Sequence, residues 1–365
     1  MTVNEVVRIL EKSLPLAAAE NYDNVGLLCG KQDREVTGIL VCHDVLENVV
    51  QEAVDKGLNF IVAFHPIIFS SIKSITAKNY VEKAIMRAIE NKIAIYAVHT
   101  AFDNHYFGVN YRICEELGLT NTEVLMPKRN QLQKLEAFVP ADFVDQVKDS
   151  LFSAGAGNIG FYDECSFSVA GMGSFRPLPG SNPYSGTADI RENAPEIMVS
   201  VIYESYKKNQ LIHALKSAHP YEEVAYQVIS LENENQYSGL GRYGDLEITM
   251  QESEFLDWVK TKFDLAVIRH SPLFDKRIRR IGVLGGSGAS GIEAAINKGC
   301  DAYLTGDLKY HDFFKAEDKI LLCDIGHFES EQFVAKHLVE LLSQKFTIFA
   351  VSKSTEKTNP VNYFL

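Results

Sequence analysis

Apolar residues along this chain fall into two rhythms. Continuous apolar runs at 37–42, 59–64 and 93–98 predict buried strands, and residues 45–56 and 80–91 between them repeat their apolar positions at helical spacing. The N-terminal residues 2–13 and residues 106–117 show the same helical spacing. Such strand-helix alternation predicts an α/β fold, a mixed or mostly parallel sheet with helices on both faces. Near Met126-Pro127-Lys128 the character changes. A strand at 133–139 and a helix at 141–154 lead to the Gly-rich turn 155–160 and a loop at 171–187 crowded with Gly, Pro, Ser and Asn. Strand, helix and strand return at 197–203, 206–217 and 224–231. That order over about 100 residues suggests a ferredoxin-like α+β module. From Gly241 the first pattern resumes, with strands expected at 243–249, 280–284, 301–305, 319–323 and 346–351 and helices at 252–263, 289–298 and 327–342. The expected organisation is therefore a discontinuous α/β domain, 1–128 with 236–365, carrying an inserted domain at 129–235.

Composition narrows the function classes. With 365 residues, 46% apolar and 23% charged, the chain has enough material for two or three cores. The formal net charge is −12 and no basic face stands out, which argues against nucleic acid as a partner. No stretch has the apolar length of a membrane span, and the amphipathic N-terminus does not read as a signal peptide. A cytoplasmic protein is the expectation. The cysteines (Cys29, Cys42, Cys114, Cys165, Cys300 and Cys323) form no CxxC pair, so neither a disulfide framework nor a Cys-rich zinc site is supported.

The chemistry gathers where parallel strands end, which is where open α/β sheets bind ligands. The predicted strands run into His43-Asp44, His65-Pro66, His99-Thr100-Ala101-Phe102-Asp103, Asp307 with His311, and Asp324 followed by His327 and Glu331. His327 and Glu331 are one helical turn apart and share a face. Each histidine taken singly is more often structural, but five ends delivering imidazole or carboxylate to one rim point to a metal centre. Mixed N and O donors suit Zn, Fe, Mn, Co or Ni, as one or two divalent ions. Asp307, His99 and His311 are the candidates for proton transfer. Gly286-Ser287-Gly288-Ala289-Ser290-Gly291 offers a rival, since it matches the dinucleotide fingerprint with Asp307 as the ribose acid. A looser form of this reading has Gly286, Ser287 and Gly288 holding a phosphate through backbone N–H groups.

These stretches also carry a resemblance. Tyr22-Asp23-Asn24-Val25-Gly26-Leu27, Phe64-His65-Pro66-Ile67-Ile68-Phe69, His99-Thr100-Ala101-Phe102-Asp103, Gly285-Gly286-Ser287-Gly288, Thr305-Gly306-Asp307-Leu308-Lys309-Tyr310-His311 and Asp324-Ile325-Gly326-His327 through Glu331 are similar to motifs of the GTP cyclohydrolase 1 type 2 homologue family, also called the NIF-three-like family. Gly155 to Gly160, Cys165-Ser166-Phe167 and His219-Pro220-Tyr221-Glu222-Glu223-Val224-Ala225-Tyr226 resemble the PII- or CutA-like insertion of its longer members. The resemblance implies a toroidal homohexamer with a dinuclear site in each subunit. Its ligands fall on His65, Asp103, His327 and Glu331. The remaining family ligand precedes His65, where this chain has Phe64, and phenylalanine binds no metal. Two alternatives stand: His43 supplies the missing imidazole, or the second metal is weak or lost. The implied activity is metal-dependent hydrolysis of a nucleotide-like ring such as that of GTP. Against it stands a non-catalytic metal-binding or regulatory role, in which the insertion, with His219 to Glu223, senses a small ligand.

Overall fold

The computed structural model describes residues 1–364. In chain order the strands are β1 Gly26–Cys29, β2 Ile39–Cys42, β3 Phe60–Ala63, β4 Ala94–Ala97, β5 Thr120–Lys128, β6 Leu132–Pro140, β7 Phe167–Phe175, β8 Glu192–Glu204, β9 Tyr226–Ser230, β10 Asn235–Gln251, β11 Arg269–His270, β12 Arg277–Ser287, β13 Ala302–Gly306, β14 Leu321–Asp324 and β15 Val351–Lys353. The chain divides into two compact units, Met1–Met126 with Ser238 onward, and Pro127–Tyr237.

The discontinuous unit holds two mixed sheets rather than one. The first has order β1-β4-β3-β2-β15, with β15, β2, β3 and β4 parallel and β1 antiparallel at the edge. The second has order β11-β14-β13-β12-β10-β5, parallel only from β12 through β14. The expectation of five strand ends along one rim of a single sheet is thereby corrected. Short apolar runs register that a strand is buried and say nothing of which sheet it joins.

Both sheets are covered on both faces, which explains why their central strands read as unbroken apolar runs. In β2, Ile39 and Val41 join a core that also takes Val283, Leu304 and Cys323 from the second sheet, so the two sheets share this apolar layer. The helices Val3–Ser13, Glu252–Lys262 and Val334–Lys345 contribute Leu10, Phe255 and Leu338 to it. Leu40 and Cys42, on the other side of β2, pack under the helices Glu47–Asp55 and Tyr80–Glu90. The helix Ile292–Asn297 covers the far side of the second sheet through Ile292 and Ala295. The first helix opens with a capping box, in which Thr2 Oγ1 accepts from Glu5 N–H and Glu5 accepts from Thr2 N–H.

The second unit is an antiparallel sheet of order β7-β8-β6-β9. The helices Val144–Ser153 and Lys208–Ala218 close one face, packing Val147, Leu151, Leu211 and Leu215 over Leu135, Val139, Val199 and Val201.

Several boundaries differ from expectation. The segment 171–187 is strand as far as Phe175, because β7 pairs residue for residue with β8 despite its glycines. The single helix expected over 327–342 is two, His327–Glu331 and Val334–Lys345. A short helix, His99–Asp103, follows β4 directly, where the sequence predicted no element. The last strand lies at Val351–Lys353 rather than over 346–351, because Phe346 turns into the core after the helix. No helix among the described residues is long and apolar enough to cross a membrane.

Candidate metal centre

The site is assembled from the C-terminal ends of strands in both sheets. Ladder hydrogen bonds continue past the strand ends: His65 N–H donates to His43 C=O at 2.9 Å, His99 N–H to Phe64 C=O at 2.9 Å, and Ile325 N–H to Thr305 C=O at 2.9 Å. These bonds hold the donor residues in register. Gly326, at φ 92°, turns the chain after β14 so that the helix His327–Glu331 starts at once. Its one full turn sets His327 and Glu331 side by side.

Glu331 is buried at 4% exposure and is the centre of the arrangement. Its Oε2 lies 3.2 Å from His43 Nε2, 3.5 Å from His65 Nε2 and 3.3 Å from His327 Nε2. The two nitrogens His327 Nε2 and His65 Nε2 are 3.5 Å apart. On the far side of each ring, a second carboxylate accepts a hydrogen bond from Nδ1–H. Asp44 accepts from His43 Nδ1 through Oδ2 and from His65 Nδ1 through Oδ1, each at 2.8 Å. Asp307 Oδ2 accepts from His327 Nδ1 at 2.7 Å, and Asp23, whose side chain is shielded from solvent, accepts from His99 Nδ1 at 2.8 Å. A carboxylate can only accept, so each Nδ1 carries a hydrogen and each neutral ring would present its Nε2 lone pair. This is the outer arrangement that metal-binding histidines share.

Electrostatics fit the same picture. Burial disfavours charge on His65, but the carboxylates of Asp44 and Glu331 outweigh it and push the imidazolium up to about 10. His327 is pushed up to about 9, chiefly by its contact with Glu331 and against the effect of burial. His43 is also raised, with Asp44 and Glu331 overcoming desolvation. Glu331 is held well below the usual carboxylate range: burial opposes its charge, and contacts with His327, His43 and His65 prevail. Asp103 goes the other way, well above its ordinary value, through burial and the nearby charge of Glu331. Its Oδ1 is buried with no hydrogen-bond partner among the described residues. An orphaned carboxylate oxygen beside a second carboxylate is the condition a cation relieves. Ligand atoms of His65, His327 and Glu331 lie within 4.8 Å of one another, as do those of His43, Asp44 and His65, so the residues fit one or more divalent ions.

Phe64 is fully buried, and its ring centroid lies 5.5, 4.9 and 5.7 Å from those of His43, His65 and His99. It backs the imidazoles with apolar surface. His43, not Phe64, brings the third imidazole to Glu331. His99 stands beside His65 with ring centroids 5.2 Å apart, at a strained φ of 24°.

Other sequence candidates land elsewhere. His311 is exposed, with its ring against Tyr310 and Phe314 and no contact to the cluster, because the 3-10 turn Tyr310–Ala316 faces it outward. Asp324 holds the turn, accepting from Leu308 N–H at 3.0 Å, Gly326 N–H at 3.1 Å and Arg269 at 2.9 Å. The backbone N–H groups on which the phosphate-loop and dinucleotide readings rest have partners within the protein. Gly286 N–H donates to Ser330 Oγ at 2.9 Å, Gly288 N–H to Gly306 C=O at 3.5 Å and Gly291 N–H to Gly288 C=O at 3.0 Å. Ser287 sits in β12 paired with Gly306. Asp307 is engaged by His327 instead of facing a ribose. These glycines serve close packing: a Cβ on Gly286 would stand 2.4 Å from Glu331 Oε1, and one on Gly288 would stand 2.0 Å from Thr305 Oγ1.

Sequence reasoning placed Asp44 at the rim beside His43 without giving it a role, and did not single out Asp23. Asp44 was legible as the residue beside His43, and Asp23 as part of the Tyr22 to Leu27 motif. Thr358, 2.8 Å from Asp44 Oδ2, had no signal at all. A cavity of about 430 Å³ opens onto the cluster, lined by His43, His65, His327 and Asp307 and walled by Asn359, Pro360, Val361 and Tyr363.

Residues 1–360 match the Duf34/NIF3 (NGG1p interacting factor 3) family. A Bacillus subtilis protein named GTP cyclohydrolase 1 type 2 homolog is 35% identical over 367 residues, covering 98% of each chain. A protein of the same name from Halalkalibacterium halodurans is 36% identical over 363 residues, again 98% of each. The crystal structure of a Bacillus cereus protein related to NIF3 superposes with a TM-score of 0.86 at 34% identity, covering 100% of this chain and 99% of that one.

Proposed function

Since the chain belongs to the Duf34/NIF3 family, we propose that it is a metal-dependent hydrolase acting on a nucleotide-like ring, GTP being the first substrate to try. The observation that carries this reading is the convergence of three Nε2 atoms, from His43, His65 and His327, on one oxygen of Glu331. His65, His327 and Glu331 would hold one ion, with His43 and the orphaned oxygen of Asp103 completing that site or a second one. A divalent ion there supplies Lewis acidity and brings the pKa of water toward neutrality.

The protein's own groups do the rest. Asp44 and Asp307 fix the Nδ1–H tautomers of His43, His65 and His327 and aim their Nε2 atoms inward. Asp23 does the same for His99, which leaves His99 Nε2 as the proton-accepting atom beside the cluster. The buried Phe64 keeps water from the back of the imidazoles and strengthens the field among these charges. The toroidal hexamer and a PII/CutA-like identity for the second unit belong to the same proposal. The strand order β7-β8-β6-β9 favours the latter.

The test is metal analysis of the full chain followed by turnover of GTP, with and without chelator. We expect at least one ion per chain, ring opening that chelation abolishes, and recovery on adding the ion back. Protein without metal would overturn the reading. Metal without turnover on GTP and a panel of phosphate esters would leave a non-catalytic metal-binding protein. Light scattering should give six times the 40.8 kDa of one chain.

A further inference from the structure

A second cavity, wholly within the Pro127–Tyr237 unit, has a volume of about 740 Å³, inside the range of small-molecule sites. It lies on the sheet face that the two helices do not cover. Register fixes its floor: Phe138, Met198 and Val169 form one cross-strand row, and Glu196 stands opposite Gly171 in the next. With glycine at 171 and 173, the floor has no side chain at those two positions.

The walls are aromatic. The Tyr221 ring lies 5.8 Å from that of Tyr184 and 6.2 Å from that of Phe175. The segment that carries Tyr184 is tied across the mouth, since Asn182 N–H donates to Glu222 at 2.9 Å. Inside, burial pushes the pKa of the Tyr221 hydroxyl up, and the negative charge of Glu196 beside it adds to the effect. The lining carries three carboxylates, Glu196, Glu222 and Glu223, against one guanidinium, Arg176. An apolar, aromatic-walled cavity with a carboxylate on its floor and an excess of negative charge complements one ligand chemistry.

We propose that this cavity binds a small amphipathic cation, a flat aromatic or apolar body bearing an ammonium or similar N–H donor that pairs with Glu196. The body would lie on Met198 and Phe138 between the rings of Tyr184, Tyr221 and Phe175. This site is independent of the metal centre and does not rest on the hydrolase reading.

Calorimetric titration of the full chain with tryptamine and with indole-3-propionate, which share a body and differ in charge, tests it. Tryptamine should bind with a Kd below about 1 mM, and indole-3-propionate at least about tenfold more weakly. Gly171→Leu should abolish binding. A Cβ there meets nothing closer than 4.0 Å, so the leucine fills the cavity without displacing the strand. Glu196→Gln should keep the body's contacts and erase the preference for the cation, a loss of about tenfold. Metal content should be unchanged in both variants. Equal binding of the two indoles, no binding of either, or binding that survives Gly171→Leu would each overturn the proposal. So would a Gly171→Leu chain whose mass falls in light scattering while the unmodified chain ignores both indoles; that result assigns the face to a second copy of the chain.

Discussion

His43 Nε2 and Glu331 Oε2 stand 3.2 Å apart although 288 residues separate them in the chain. One comes from the end of β2 in the first sheet and the other from the short helix after β14 in the second. The contact exists because the two sheets share a core and present their parallel ends together. It makes Glu331 the one carboxylate whose charge serves three imidazoles.

Removing that charge should therefore cost more than removing any single histidine. Glu331→Gln is expected to lower metal affinity by more than the roughly 100-fold ceiling for outer partners of a metal ligand. Competition with a chromophoric chelator measures this. An unchanged affinity would mean the ion binds elsewhere.

Asp44 should behave as an orienting residue shared by two rings. Asn at this position can accept from only one Nδ1–H, and its amide donor would face the other. Asp44→Asn is thus expected to weaken metal binding about 10- to 100-fold, with folding intact, as judged by the same competition and by circular dichroism. An effect as large as that of Glu331→Gln would instead make Asp44 a direct ligand.

Gly286 tests why the glycine loop exists. Its φ is 68°, and a Cβ would fall 2.4 Å from Glu331 Oε1. Gly286→Ala should cost about 1–2 kcal/mol from the backbone alone, and displace Glu331 as well. Thermal unfolding and metal content should fall together. If a phosphate cradle were its purpose, metal content would stay unchanged and only binding of a phosphate ligand would suffer.

Glu52 sets a pH dependence distant from the metal. Burial opposes its charge, but Lys56, Ser354 and Thr355 outweigh burial and lower its pKa from 4.5 to about 2. A depressed folded-state value contributes stability above pH 4.5, and that contribution is lost as pH falls toward 2. Glu52→Gln should unfold at lower denaturant than the unmodified chain at pH 6, by about 2 kcal/mol, and this gap should narrow steadily below pH 4.5. A gap independent of pH would mean that the glutamate acts by shape alone. These bonds anchor the segment after β15 to the helix Glu47–Asp55.

The sequence made some of this legible and hid the rest for identifiable reasons. His65, His327 and Glu331 stood out because they follow apolar runs and, for the last two, because four residues make one helical turn. Asp103 stood out by motif, yet the helix that buries it was invisible in a five-residue segment. The outward placement of His311 was not legible, because a His after a strand carries the same signal whether its turn faces inward or outward. The glycines from Gly286 to Gly291 allow two readings, because close packing against Glu331, Thr305 and Tyr303 demands the same residue as close approach to a phosphate.

By itself, the order of residues determined the strand-helix alternation, the interruption of one unit by another and the residue types able to hold a cation, since periodicity and donor chemistry are local properties. Only the tertiary structure decided that two sheets rather than one build the site, that His43 reaches Glu331 while Phe64 backs the rings, and that Asp44 and Asp23 hold imidazoles in place. Those facts depend on which strands become neighbours, and strand pairing is settled by the burial of whole faces against one another, a quantity no short window of sequence contains.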